Sequence, residues 1–398
     1  MRDICSHDQC TGCNACINIC AHSAIIQILD SDGYLYPKID ESKCIGCNAC
    51  QSVCPSNNPP ILNTALHSYV AYAKDKDEQR TSTSGGLASV LCRRFLQQGG
   101  VVYGCTSCDY PKIHHVRITD ENELYRIKGS KYVQSDTETV FKEIKADLKS
   151  KKVIFIGTPC QCAGLRNYIR GMEANIILVD FVCHGVPSQQ LLHDAIAAQG
   201  YAFNAKEVYF REKEPNGVSK YGLFVYDGNH NCLYKGYYPQ DDFIVTFLSG
   251  LFYRQSCYAC RYAQPQRCSD ITLGDYWDIE KNSKMPKQRY GGMSMVIVNP
   301  QKGQKLFSYC AQDVIYEQSS LNVFVKINGQ LHHPMKKPPF YDSYHIDYKD
   351  KNYKFVCSKY LPSEKNRIKR SQIKNLIRDI VYLIPGVKYI YKLLFQSK

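Results

Sequence analysis

The amino-acid sequence predicts a small α+β domain, then an α/β core with a mixed sheet, and last a basic amphipathic helical tail. Three observations carry this prediction. Cysteines are concentrated before residue 60, buried-strand and helix patterns alternate between residues 151 and 199, and basic residues collect after residue 360. A chain of 398 residues has room for two or three domains. We divide it into residues 1–62, 63–150 and 151–345, with the tail at 361–398.

Two cysteine runs of the same spacing define the first domain. They consist of Cys10, Cys13, Cys16 and Cys20, and of Cys44, Cys47, Cys50 and Cys54. In this bacterial ferredoxin spacing, three thiolates hold one [4Fe–4S] cluster while the fourth completes the other cluster. The sequence therefore predicts a ferredoxin-like dicluster domain. Its cluster one is assigned to Cys10, Cys13, Cys16 and Cys54, and its cluster two to Cys44, Cys47, Cys50 and Cys20. Zinc is the alternative for CxxC pairs, but it has no use for the third cysteine step or the outlying fourth cysteine.

Composition limits the location and the partners of the protein. The chain holds 21 cysteines, yet residues 1–20 contain no apolar leader segment, and cluster assembly needs free thiolates. We therefore expect a cytoplasmic protein in a low-oxygen habitat. The formal net charge is +13, of which +7 lies in residues 361–398, so the body is only mildly basic. No recognition helix, zinc finger or basic-aromatic groove stands out, which argues against a nucleic-acid partner.

Residues 63–150 begin with a strand and a helix. Residues 67–73 alternate as a strand does. After a polar loop, the run Thr83-Ser84-Gly85-Gly86 opens a helix that extends to about Gln98, where two glycines stop it. Small residues at a helix start can let backbone N–H groups approach a phosphate, although an ordinary N-cap explains the same residues.

The following segment reads as β-α-β-α. Strands are predicted at residues 153–156 and 175–182, and helices at 161–170 and 189–199. The two strands should be parallel and buried on both faces. Residues 208–211, 223–226 and 232–237 instead predict antiparallel strands, with Asp227-Gly228-Asn229 as a hairpin turn.

A second group of thiols is expected in the core. Cys160 and Cys183 each follow the carboxyl end of one of the two parallel strands, and Cys257 and Cys260 form a further CxxC pair. Open α/β sheets bind their ligands at that edge, so these four thiolates could hold a third cubane cluster. Buried, inert thiols are the alternative, because cysteine is often buried for packing alone.

Six motifs that occur in a fixed order indicate a resemblance to a known family. They are Ser82-Thr83-Ser84-Gly85-Gly86, Val101-Val102-Tyr103-Gly104, the run from Lys128 to Ser135, Gly157-Thr158-Pro159-Cys160-Gln161, the run from Cys183 to Ser188, and the run from Ser269 to Trp277. Over residues 1 to about 280, the chain resembles the coenzyme F-420 hydrogenase/dehydrogenase beta-subunit family. Relatives in that family include plant 7-hydroxymethyl chlorophyll a reductase.

The resemblance implies an FAD beside a cubane cluster in the core. Matching the motifs residue by residue places the flavin at Ser84, Gly85, Gly86, Ser130, Lys131, Tyr132, Gln134 and Ser135, with Thr158 nearby. It also supports the core cluster at Cys160, Cys183, Cys257 and Cys260. Cys268 departs from the pattern and could replace one of these ligands. Cys105 and Cys108 form an extra CxxC that we interpret as structural, and His184 is expected to be a hydrogen-bonded structural residue rather than a proton donor.

The predicted function is electron transfer between iron–sulfur clusters, which carry one electron at a time, and a substrate that takes two electrons. A flavin can exchange electrons both singly and in pairs, so it can connect the two. The sequence therefore predicts an iron–sulfur flavoprotein oxidoreductase, with reduced ferredoxin or another donor as partner and a small molecule or glycan precursor as substrate. Surface-polysaccharide biosynthesis is the expected context. The alternative is an electron-transfer beta subunit that serves a separate catalytic partner or a deazaflavin coenzyme.

The tail combines apolar and basic residues at helical spacing. Ile373, Leu376, Ile377 and Ile380 recur on one face, and Lys388 and Lys392 interrupt the later apolar stretch before it could span a bilayer. Such a segment can lie on the inner face of an anionic membrane. Packing against the body or a second subunit is the equal alternative.

Overall fold

The computed structural model describes residues 3–214, 217, 219–276 and 291–383, with side chains up to residue 374 in the last helix. Trp277 of the last motif and residues 384–398 of the predicted tail lie outside the described residues. No described helix is both long and apolar enough to cross a bilayer.

The first domain consists of two short helices and a two-stranded sheet. In chain order they are α1 (Ala15–Ile19), β1 (Ile25–Leu29), β2 (Leu35–Ile39) and α2 (Ala49–Val53). Each helix follows an asparagine in the left-handed conformation, Asn14 or Asn48, and the two helices pack against each other. The first two cysteines of each run precede its helix, so the turn presents their thiols together with the cysteine inside the helix.

The core contains the remaining elements. Its first half holds β3 (His67–Ala73), α3 (Lys76–Thr81), α4 (Leu87–Leu96), β4 (Val101–Asp109), β5 (Lys112–Ile118), α5 (Val140–Asp147), β6 (Val153–Ile156), α6 (Pro159–Tyr168), β7 (Ile176–Phe181) and α7 (Gln189–Ala198). Its second half holds β8 (Glu207–Lys213), β9 (Ser219–Tyr226), β10 (Cys232–Tyr237), α8 (Asp242–Leu248), β11 (Ile271–Tyr276), β12 (Met293–Val298), α9 (Gln301–Cys310), β13 (Val314–Gln318), α10 (Leu321–Ile327), α11 (Tyr341–Asp350) and α12 (Tyr353–Leu383).

One mixed sheet organises the core. Its strand order is β13-β3-β12-β11-β7-β6-β4-β5, in which β4, β6, β7 and β11 run parallel and the outer strands pair antiparallel. The predicted parallel pair is confirmed, since Val153 lies opposite Ile176 and Ile156 opposite Val179. Strand β6 is apolar along its whole length and β7 is apolar as far as Val179, because helices cover both faces of a parallel sheet. The expected mixed sheet is therefore confirmed.

The core differs from the sequence prediction in several features, of which two concern the neighbourhood of the parallel strands. The β4–β5 hairpin was not predicted, and α6 begins at Pro159 rather than at 161. The earlier start has a local cause, because Thr158 and Gln161 form a capping box around a proline in the first turn. The predicted antiparallel strands form a separate sheet in the order β10-β9-β8.

The predicted start of the tail falls inside a helix that packs on the core. The buried side chains of α12 include Tyr360, Leu361 and Ile368. Lys365 Nζ lies 2.5 Å from Asp242 Oδ1 on α8, and Glu364 accepts a hydrogen bond of 2.7 Å from Ser249 Oγ. Residues 361–368 therefore pack against the body of the protein, which is one of the two alternatives given for the tail. The membrane interpretation of the remaining tail stays a prediction.

We predict that a chain ending at Tyr360 is less stable than one ending at Lys374. The shorter chain loses the buried Leu361 and Ile368 side chains, which we expect to cost on the order of 3 kcal/mol. Thermal unfolding followed by circular dichroism measures the difference. Equal unfolding midpoints for the two chains would show that this part of α12 contributes no packing.

Candidate functional site

A cavity in the first domain gathers the thiols assigned to cluster one. This cluster-one cavity is lined by Cys10, Cys13, Cys16 and Cys54, and also by Cys5. The four assigned cysteines are each less than a tenth exposed. Burial raises the pKa of Cys13 to about 12, because a thiolate loses its hydration there. Such a site favours a cationic iron–sulfur core that compensates the thiolate charges.

Cys5 was missed by the spacing argument because it lies outside the x2 pattern. Its thiol hydrogen-bonds with Cys10 and Cys54, and this contact keeps the pKa of both residues below the ordinary thiol range. The Cys5 thiol is therefore a neighbour of two predicted ligands.

A second cavity gathers the thiols assigned to cluster two. Cys20, Cys44, Cys47 and Cys50 line this cluster-two cavity. Cys47 is exposed and the other three are partly exposed. The backbone amide of Ala24 donates to Cys20 Sγ over 3.3 Å. The two cavities thus differ in their access to solvent.

A third cavity lies at the carboxyl edge of the parallel strands. This core cavity is lined by the four core thiols of Cys160, Cys183, Cys257 and Cys260. Thr158 Oγ1 lies 3.1 Å from Cys160 Sγ. Burial raises the pKa of Cys160 to about 11 and of Cys183 to about 12. Four partly buried thiols around one cavity are the donor set that a cubane cluster requires.

Cys268 does not reach the core cavity. It is fully buried, and its Sγ lies 3.7 Å from the Pro159 carbonyl oxygen. Across the described residues, no three His, Cys, Asp or Glu side chains converge closely enough for a single metal ion. A cubane cluster has a different requirement, since each of its thiolates binds a separate iron.

The core cavity adjoins the first domain. Thr11, Pro55 and Ser56 of that domain line it together with the core thiols. Helix α6 links the two cavities, because Cys160 lies in its first turn and Gly164 lies against Cys13 one turn later. A Cβ at Gly164 would stand only 2.7 Å from Cys13 Sγ. The glycine therefore permits the first domain to approach the helix closely.

A larger cleft adjoins the core cavity, and Cys183 and His184 are among the residues that line both. Its volume is about 1690 Å³ including space open to solvent. Seven of the predicted flavin residues line it: Ser84, Gly86, Ser130, Lys131, Tyr132, Ser135 and Thr158. The structure thus places most of the motif residues around one cleft.

Two predicted flavin residues lie elsewhere. A Cβ at Gly85 would meet the Ala71 carbonyl oxygen at 2.6 Å, so this glycine allows close packing between the helix start and β3. Gln134 lines the core cavity instead of the cleft. Its Nε2 donates to the Thr11 carbonyl oxygen over 3.3 Å, which ties the motif to the first domain.

The cleft wall combines polar groups with aromatic rings. Lys131 Nζ donates to the carbonyl oxygens of Lys128 and Gly129 over 2.7 and 3.1 Å, and burial lowers the pKa of Lys131. Tyr132 stacks on Phe247 with ring centroids 4.4 Å apart. Rings, an ammonium group and hydroxyls together suit a large planar cofactor that carries phosphates.

Three further groups in this region were left open or missed by the sequence analysis. Among the described residues, His184 Nδ1 is buried without a hydrogen-bond partner, and burial lowers the pKa of His184, which favours the neutral ring. Asp180 Oδ2 accepts from Ser269 Oγ over 2.8 Å, whereas its buried Oδ1 has no partner in the same part of the chain. Cys105 lines the cleft, and Cys108 Sγ lies 3.8 Å from the Tyr209 hydroxyl. The expected hydrogen bond of His184 is therefore not found at Nδ1 within the described ranges.

Comparisons with known proteins agree with the resemblance. Residues 150–322 match the family described as the C terminus of the coenzyme F420 hydrogenase/dehydrogenase beta subunit. Residues 9–58 match a 4Fe–4S dicluster domain, and a second 4Fe–4S dicluster family matches residues 36–89. The family recognition is thereby confirmed, and the chain carries a dicluster domain for two iron–sulfur clusters.

One solved structure that aligns with this chain is the F420-reducing [NiFe] hydrogenase complex from Methanosarcina barkeri. The alignment has 16% sequence identity and a TM-score of 0.46, and it covers 78% of this chain and 94% of that chain. No curated protein matches this chain.

We predict that Gly164→Ala loses cluster one. In an ordinary helix this change stabilises by about 0.5–1 kcal/mol, but here the new Cβ would displace the Cys13 thiol. Iron analysis should show about four fewer irons per chain. The matched control is Gly228→Ala, where the closest atom to a new Cβ is Lys206 Cγ at 3.7 Å. Full iron content in Gly164→Ala would contradict the close approach.

Proposed function

We propose that this chain, which pairs a dicluster domain with the C-terminal domain of the F420 hydrogenase/dehydrogenase beta subunit, is an iron–sulfur flavoprotein oxidoreductase. In this proposal electrons enter at the ferredoxin-type thiols, pass the core thiols and reach an FAD in the cleft. A substrate over the exposed flavin face is then reduced, or is oxidised if the flow reverses.

The continuity of the three sites carries the proposal. Thr11 and Pro55 link the first domain to the core cavity, and Cys183 and His184 link the core cavity to the cleft. Each step of an electron path therefore passes between neighbouring sites inside the protein. The thiols of the core cavity, Cys160, Cys183, Cys257 and Cys260, are proposed as ligands of a third [4Fe–4S] cluster.

The cleft residues would hold the flavin. FAD, when bound, exchanges electrons singly with clusters and in pairs with a substrate. Lys131 would offer its ammonium group to the phosphates, and the backbone at Gly86 would allow them to approach the start of α4. Tyr132 and Phe247 would shield one side of the cleft from water.

A small molecule or glycan precursor is the proposed substrate, and surface-polysaccharide biosynthesis is the proposed context. Asp275, Asn328 and Tyr221 in the cleft wall support this class, because carboxylate, amide and aromatic groups together suit a polyol. Reduced ferredoxin or a similar donor is the proposed partner. We place the protein in the cytoplasm.

A second candidate is an electron-transfer beta subunit with no substrate of its own. The description of the matched family as a beta subunit favours it. A catalytic partner or a deazaflavin coenzyme would then receive the electrons. Purification separates the candidates, because a free chain whose reduced flavin is reoxidised by a small molecule supports the enzyme. Obligate co-purification with a catalytic partner protein supports the carrier.

Anaerobically prepared protein should contain about twelve irons per chain, from three cubanes of four irons each. Cys183→Ser should lose about four of them because it removes a thiol from the core cavity. Iron and acid-labile sulfide analysis measures both.

Cys268→Ser is the matched control, since this buried thiol lies outside the core cavity. It should keep its full iron content. Loss of iron in Cys268→Ser but not in Cys183→Ser would show that Cys268, and not Cys183, is the ligand. About eight irons in the unaltered chain would show that the protein holds no core cluster.

Lys131→Met should purify with little FAD while retaining its iron. The substitution keeps the apolar stem of the side chain and removes the charge that would face the phosphates. The ratio of flavin absorbance to protein gives the result. Lys112→Met removes an exposed lysine and is the control. Stoichiometric FAD in Lys131→Met would show that Lys131 does not bind the phosphates of FAD.

A further inference from the structure

Arg254 is a fully buried cation between the first domain and the core. It lies three residues before Cys257 and has no exposed surface. Its Nε donates to the Cys10 carbonyl oxygen over 2.7 Å, and its Nη1 donates to Gln134 Oε1 over 3.0 Å. Its Nη2 donates to the Leu35 carbonyl oxygen over 3.1 Å and to Cys10 Sγ over 3.5 Å.

Within the described ranges, no Asp or Glu oxygen lies within ion-pair distance of the Arg254 guanidinium group. Its hydrogen bonds go instead to Cys10, Gln134 and Leu35. Its neighbours also include two aromatic rings, whose centroids lie 3.9 Å (Tyr36) and 5.6 Å (Tyr34) from the guanidinium carbon. A buried cation without a counter-ion is strongly unfavourable. The anion that the site supplies is the Cys10 thiolate, and through it the negative charge of cluster one.

Burial and the nearby cation have opposite effects on the reduction potential of cluster one. Reduction makes a cluster more negative, so burial lowers its potential, whereas a nearby cation and hydrogen bonds to the sulfurs raise it. Burial alone would place cluster one below the more exposed cluster two. Electrons that arrive at cluster two would then have to move inward against the gradient.

We propose that Arg254 raises the reduction potential of cluster one above that of cluster two and so directs electrons from the exposed cluster toward the core. This inference rests on the proposed function, since it orders the first two centres of that electron path. Each step transfers one electron from an external donor of the reduced-ferredoxin class to cluster two and then to cluster one. The donor is oxidised, and no bond is formed or broken.

Arg254→Gln tests the proposal in the full chain by anaerobic redox titration followed by electron paramagnetic resonance. The potential of the higher of the two ferredoxin clusters should fall, and the gap to the lower one should narrow or invert. Titration in the Cys183→Ser background isolates the two ferredoxin signals. An unchanged potential of the higher cluster, or a shift confined to the lower one, would overturn the proposal.

Gln134→Glu keeps the test decisive if Arg254→Gln fails to assemble cluster one. It places a carboxylate beside Nη1 and leaves the Arg254 bonds to Cys10 and Leu35 available. The potential of the higher cluster should again fall because the new anion neutralises the cation. No shift in Gln134→Glu with full iron content would overturn the proposal.

Lys43→Gln is the charge-matched control next to the cluster-two ligand Cys44. The Lys43 side chain is 58% exposed and lies 3.3 Å from Asp40, so solvent should screen its effect. Its shift of cluster two should be smaller than the shift that Arg254→Gln causes in cluster one, and an equal shift would count against a special role for Arg254. Absence of iron from the unaltered protein would instead refute the proposed function, which distinguishes the two failures.

Discussion

The close grouping of buried thiols is the constraint on which the rest of this structure depends. Sulfurs that become negative when they bind iron repel one another and lose hydration on burial, as the raised pKa values of Cys13 and Cys183 show. Helices of only five residues cannot provide much apolar burial for the first domain by themselves. The core therefore contributes the opposing surface, through α6 and the segment at residues 134–138.

That surface combines apolar packing, in which Ala15 and Val53 share one buried cluster with Leu165, with specific polar contacts. Asn14 Nδ2 donates to Asp136 Oδ1 over 2.6 Å, and Thr137 Oγ1 donates to the Cys13 carbonyl oxygen over 3.1 Å. Asn167 Nδ2 donates to the Asn58 carbonyl oxygen over 2.7 Å. These bonds fix the register of the first domain on the core, because a displaced domain would leave buried polar groups unsatisfied. One continuous motif thus lines the cleft at Lys131 and anchors the first domain at Gln134.

Local patterns in the sequence predicted local features well. The bounds of β3, β6 and β10 agree with the prediction. The cysteine spacing selected thiols that line the two ferredoxin cavities, and the strand-end positions of Cys160 and Cys183 together with the Cys257–Cys260 pair selected thiols that line the core cavity. Features that depend on distant partners were not predictable in the same way. The role of Arg254 depends on its contact with Cys10, which is distant in the sequence. The need for glycine at position 85 depends on the close approach of Ala71 and of β12. The tail looked amphipathic, but only the positions of α7, α8 and α11 show that Leu361 and Ile368 are buried against the core.

Rapid-mixing kinetics test the central claim, that electrons pass from the ferredoxin-type clusters through the core thiols to the flavin. Reductant added anaerobically should bleach the iron–sulfur absorbance first and the flavin absorbance afterwards. In Cys183→Ser, the ferredoxin clusters should be reduced at the unaltered rate while flavin reduction becomes much slower. Flavin reduction at the same rate in both proteins would show that the electrons bypass the core site, and would contradict this account.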